Sequence, residues 1–142
     1  MPDARTAQPD SQLSDFFETF SRASDTLDTD ALAACFEEVF LAADATGARA
    51  VPRPLFLHAL PKRRQMAEAA GLGPAVLSSL THQDLDEHYV LARTEWTAPS
   101  TAGGDAVLLC SSFLLRRDDA GLRIVCYLNH QGLPQSTAAV QA

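Results

Sequence analysis

The residues whose types could do chemistry are few, and most fall in the C-terminal half. His130 closes the run Leu122-Arg-Ile-Val-Cys-Tyr-Leu-Asn-His130. An imidazole there could serve as a general acid–base near neutral pH, where it ordinarily titrates. It could equally hydrogen-bond a neighbouring loop or helix. Thr94 and Ser111 are hydroxyls among apolar strand residues, placed either to orient a bound molecule or to bond the backbone. His58 precedes Pro61 and either fills a helix kink or contacts a ligand. The four histidines show no helical or hairpin ligand spacing, so no metal site is expected. Cys35, Cys110 and Cys126 each sit in an apolar run and read as buried free thiols. No cofactor is expected.

The elements that must position these groups are three runs: Tyr89 to Trp96, Ala106 to Leu115, and Leu122 to His130. β-Branched, aromatic and leucine side chains dominate them, as suits a pleated, half-buried surface. Pro99-Ser-Thr-Ala-Gly-Gly-Asp105 and Asp118-Asp-Ala-Gly121 separate them and are short enough for hairpins, so the pairing is antiparallel. Alternation places Val90, Ala92, Thr94 and Trp96 on one face, with Arg93 and Glu95 on the other. In the last run it places Ile124, Cys126, Leu128 and His130 opposite Arg123, Tyr127 and Asn129. Pairing Arg116 with Arg123 then puts Leu109, Ser111, Phe113 and Leu115 on the Trp96 and His130 face, and a slip of one residue would exchange every face.

Composition bounds the rest. At 142 residues the chain is one domain by size, with 46% hydrophobic and 20% charged residues. Its net charge of −7 argues against nucleic acid or an anionic membrane as a partner, since both need a basic footprint. No apolar run approaches the roughly 20 residues of a spanning helix, and the polar start lacks the order of a signal peptide. A cytoplasmic protein is expected, with a disordered lead-in at 1–10, a single domain at 11–133 and a frayed tail at 134–142.

In chain order, Ser11 or Ser14 can cap a first helix whose stripe carries Leu13, Phe16, Phe17, Phe20 and Leu27. Asp28-Thr-Asp30 caps a second. Val39 to Asp44 either continues that helix or forms a short strand, and Ala48 to Val51 forms another. Pro52-Arg-Pro54 opens a third helix, which Pro61 kinks or restarts and Gly71 ends. Ala75 to His82 reads as a further strand.

Helix, helix, short hairpin, helix and then a meander of long strands resembles the nuclear transport factor 2-like superfamily, in its SnoaL-like branch. The resemblance covers about Leu13 to Leu133. Its local carriers are Phe56-Leu-His-Ala-Leu-Pro-Lys-Arg-Arg64 with Gly71, His88-Tyr-Val-Leu-Ala-Arg-Thr-Glu-Trp96, and Leu115-Arg-Arg with Arg123-Ile-Val-Cys-Tyr-Leu-Asn-His-Gln131. It implies an α+β fold, a curved antiparallel sheet wrapped around N-terminal helices into a cone with a pocket. It is most similar to bacterial members without assigned activity. The superfamily's isomerases use an inward Asp and a Tyr donor; here the first helix offers Phe, and the strands show no clear inward Asp.

Three functions from different classes follow. The cone binds a small, largely apolar molecule, lined by Phe16, Phe20, His58, Thr94, Trp96, Ser111, Phe113 and Leu128. Alternatively, the chain is a cofactor-independent isomerase, dehydratase or hydrolase with His130 as acid–base, partnered by Asp15 or Asp25. In the third, it is a dimerisation module with a filled core. A homodimer through the outer sheet face is expected, formed by Leu91, Cys110, Leu114 and Val125 beside Arg93, Tyr127 and Asn129.

Overall fold

A computed structural model describes residues 11–101 and 103–130. The expected lead-in at 1–10 and tail at 134–142 lie outside the described residues. Helix α1, Ser11–Thr26, buries Leu13, Phe17 and Ala23 along one stripe, as helical spacing dictates. The carboxylate of Asp28 accepts from the Ala31 N–H at 3.2 Å and caps α2, Thr29–Ala33. Strands β1, Phe36–Asp44, and β2, Gly47–Pro52, then form a hairpin, so the stretch from Val39 is strand and not helix. Helix α3, Arg53–Ala69, continues through Pro61 instead of restarting there. The Leu57 carbonyl that Pro61 deprives of a donor lies on a helix with no fully buried residue, where water can take the bond. Gly71, at φ 82°, ends the helix in a left-handed conformation that glycine adopts without strain. No helix among the described residues is long and apolar enough to cross a membrane.

Strands β3, Val76–Asp84, β4, Tyr89–Ala98, β5, Val107–Asp118, and β6, Gly121–Asn129, complete one sheet in the order β2-β1-β6-β5-β4-β3. Only the β1–β6 junction is parallel. The fold is α+β, a curved sheet carrying its helices on one face. Val90, Ala92, Thr94 and Trp96 pair with Leu115, Phe113, Ser111 and Leu109, and these eight share the helix-covered inner face. Arg116 pairs with Arg123, as the hairpin length requires.

Alternation fails beyond that point. Leu115 pairs with Ile124, but Leu114 pairs with Cys126, so Val125 is an extra residue in a β-bulge. A bulge inserts one residue and exchanges the faces of everything that follows. Tyr127 and Asn129 therefore lie opposite Phe113 and Ser111 on the inner face, while Leu128 lies opposite Ser112 on the outer one. His130 follows Leu128 outward, and its Nε2 lies 2.7 Å from Ser112 Oγ. The expected inward placement of Leu128 and His130 is thus corrected, as is the outward placement of Tyr127 and Asn129. The bulge lets Tyr127 stack on Phe113 at 4.9 Å and 14°. The cysteines also part company. Cys35 is buried, whereas Cys110 and Cys126 are half-buried on the outer face.

Candidate functional site

The core of the cone is closed: Leu13 and Phe17 of α1, Phe36 and Phe40 of β1, and Val90, Phe113, Leu115 and Ile124 of the central strands are all at most 2% exposed. Aromatic rings interlock there, with Phe17 5.0 Å from Phe113 and Phe36 4.6 Å from Phe40. Packed against it are apolar side chains that are only partly buried, among them Phe16, Phe20, Phe56, Leu77, Leu80, Leu109 and Tyr127. Phe20 joins the two groups, with ring centroids 5.8 to 6.1 Å from those of Phe113, Phe36 and Trp96.

Polar groups on this face are mostly satisfied within the protein. The Trp96 indole N–H donates to Thr94 Oγ1 at 2.7 Å, and that hydroxyl donates onward to the Ser111 carbonyl at 3.1 Å. The Ser111 hydroxyl donates to Asn129 Oδ1 at 3.2 Å. Thr94 and Ser111 are therefore inward, but their hydroxyl protons are spent on structure. Asn129 keeps its amide N–H groups unengaged among the described residues, and Tyr127 brings a phenol to the same face.

Of the residues singled out from sequence, Phe16, Phe20, Thr94, Trp96, Ser111 and Phe113 gather in the cone. His58 does not: it is exposed on α3 beside a shallow depression outside the cone, lined by Thr29, Leu57 and Pro61 among others. Leu128 and His130 do not either, for the reason given by the bulge. Asp15 and Asp25, named as partners for His130, are both exposed. Sequence reasoning missed three inner-face residues, Tyr127, Asn129 and Asp84, and left the face of His82 open. His82 pairs with Ala92 and Asp84 with Val90, so both β3 side chains point inward. An inward Asp exists after all. Its Oδ1 has no hydrogen bond among the described residues and lies 4.0 Å from Arg117 Nη2. Arg117 also donates to Gln12 Oε1 at 2.9 Å, which seats the start of α1. His82 and Tyr127 lie in one cross-strand row, His82–Ala92–Phe113–Tyr127, with two strands between them.

On the outer face two bulges oppose one another. Between Phe36 and Leu41 the β1–β6 register shifts, and Val125 bulges on β6. A depression of about 610 Å³ opens there, lined in part by Arg53, Tyr89, Arg116 and Arg123. Among the described residues no three of His, Cys, Asp or Glu gather closely enough to hold a metal ion.

The sequence matches the profile of the family described as NTF2-like protein (DUF6841) over residues 9–132. The chain belongs to that NTF2-like family. No protein of curated function matches it. Solved structures agree on the fold. A Kribbella flavida protein superposes with a TM-score of 0.67 at 11% identity, over 93% of this chain and 96% of its own. A protein of unknown function with a cystatin-like fold from Nostoc punctiforme gives 0.66 at 11% identity, over 87% and 92%. An NTF2-like protein with a cystatin-like fold from Novosphingobium aromaticivorans gives 0.61 at 18% identity, over 93% and 88%. At such identities the likeness to these NTF2-like proteins is one of fold.

Proposed function

We propose that this NTF2-like domain binds a small, largely apolar molecule at the wide end of its cone. One observation carries the reading: Phe16, Phe20, Leu77, Leu80, Leu109 and Tyr127 are apolar, only partly buried, and packed against a core that is fully buried. An apolar wall with a few polar groups is the usual make-up of a small-molecule site. The orienting groups are Asn129 and Tyr127, in place of the His130 expected from alternation. An isomerase, dehydratase or hydrolase of SnoaL-like type has less behind it, because the inward Asp84 stands 4.0 Å from Arg117 Nη2 and its buried Oδ1 has no hydrogen-bond partner among the described residues.

Trp96 is the only tryptophan of the chain and is 8% exposed beside Phe20, which makes it a built-in reporter. A panel of apolar small molecules is titrated while Trp96 emission is followed, alongside native mass spectrometry for co-purified adducts. A saturable change that Leu109→Arg removes without unfolding the protein is the expected result. A mass free of adducts together with an emission spectrum that no member of the panel alters would refute the reading. In that case the filled-core dimerisation module, favoured by the apolar outer face, takes its place.

A further inference from the structure

We infer that the outer-face depression between the bulges of β1 and β6 is a second binding site, taking a small carboxylate with an apolar body. The two bulges part the strands where Phe36 still pairs with Ile124 and pairing resumes only at Leu41 and Cys126. Opposed bulges of this kind re-aim side chains next to functional sites. Of the eleven basic residues in a chain of net charge −7, three line this single hollow: Arg53, Arg116 and Arg123.

The guanidinium groups are braced and not used up. Arg116 donates from Nε to Glu37 at 2.9 Å and from Nη2 to Asp118 at 3.2 Å. Arg123 Nη1 donates to the same Asp118 oxygen at 3.3 Å. Arg116 Nη1 and the Nε and Nη2 of Arg123 make no further hydrogen bond among the described residues. Arg53 Nη1 is held by the Ala33 and Phe36 carbonyls at 3.1 and 2.9 Å, which leaves its charge without a carboxylate hydrogen bond. Three guanidinium groups line the hollow with Glu37 and Glu38, and Asp118 braces two of them from its edge, so the donors left open belong to Arg116 Nη1 and to the Nε and Nη2 of Arg123. A fixed guanidinium fork matches a carboxylate in two parallel bonds. Val39, 57% exposed, and Val125 supply an apolar wall, and Tyr89 a ring and a hydroxyl. That wall separates an organic carboxylate from inorganic phosphate.

The test is a titration of the full chain with sodium benzoate, followed residue by residue by NMR, with sodium chloride and inorganic phosphate at equal ionic strength as comparisons. Saturable shifts at Val39, Val125 and the Arg116 and Arg123 Nε–H groups are expected with benzoate alone. Arg123→Gln should weaken the response at least tenfold. Val39→Glu, which touches none of the bracing bonds, should remove it while the spectrum stays folded. Equal shifts with chloride, or a benzoate response unchanged in Val39→Glu, would overturn the proposal. Phosphate binding as tightly as benzoate would overturn its apolar part. Benzoate shifts confined to Trp96, Leu109 and Tyr127 would place the ligand in the cone and also overturn it, so the two sites are judged separately.

Discussion

Two buried residues show how side-chain chemistry fixes the cone. Thr94 is fully buried and both accepts from Trp96 and donates to the Ser111 carbonyl. Thr94→Val keeps the shape but strands the indole N–H, while the Ser111 carbonyl stays within the β4–β5 ladder, and an unmet buried partner costs about 1–3 kcal/mol. Urea unfolding of Thr94→Val should therefore show a loss of at least about 1 kcal/mol. Adding Trp96→Phe should recover part of that loss relative to the sum of the single effects, because one stranded donor is then gone. Strict additivity would mean that the bond contributes nothing. Cys35 supplies a pH test. Burial pushes its thiol from 9.0 to about 11. The unfolded chain thus loses this proton first as pH rises, so the thiol's contribution is intact below pH 9 and lost between about 9 and 11. The fall in stability across that window should be shallower in Cys35→Ala, measured by denaturant unfolding at several pH values. Parallel slopes for the two proteins would show that Cys35 ionises alike folded and unfolded.

At the scale of elements, the strands and their partners were legible because β-branched and aromatic runs alternate between short polar turns. The Arg116–Arg123 pairing followed from the hairpin length alone. Thr94, Trp96, Ser111 and Phe113 were placed inward by that same logic. What could not be read was the bulge. Ile124, Val125 and Cys126 are consecutive apolar residues, so a skipped residue leaves no mark on the pattern, and Tyr127, Leu128, Asn129 and His130 all inherit the wrong face. Asp84 and His82 were obscure for a related reason: the turn at Asp86 hides the register of β3, which bulges between Leu77 and Ser79. The bulge on β6 has a direct consequence. Tyr127→Ala removes a ring stacked on Phe113 and should cost about 2 kcal/mol. His130→Ala removes an outer-face contact to Ser112 and should stay within about 0.5 kcal/mol. Simple alternation would predict the reverse order, and thermal or urea unfolding of the two variants decides between them.

For the whole molecule, the question is what meets the outer face of the sheet. Leu41, Cys126, Leu114 and Leu91 are direct cross-strand neighbours, forming one apolar row across β1, β6, β5 and β4. Leu41 and Leu91 are each 41% exposed, and Leu108 on the same face is 44% exposed. The row spans three strand spacings, ~14 Å, and Leu128 and Cys110 widen it. Helices cover the opposite face, so nothing among the described residues shields this one. Exposed apolar patches of a few hundred Å² mark interfaces, and a two-fold axis lets a patch bury itself against its own copy. Arg93 and Glu95 are 54% and 36% exposed along β4 beside the row, where they can pair across the axis as a polar rim. The face differs from the one read off the sequence: Cys126, Leu128 and His130 replace Tyr127 and Asn129, which makes it more apolar and strengthens the case for a homodimer. Light scattering at micromolar concentration should give about twice the 15.3 kDa chain mass, and Leu114→Arg should shift it to monomer. Thiol labelling gives an independent reading. Cys110 and Cys126 should react slowly in the native protein and quickly in Leu114→Arg, while buried Cys35 stays unreactive in both. A native chain that scatters as a monomer, with Cys110 and Cys126 labelled as fast as in the variant, would leave the row open to solvent and rule out the dimer.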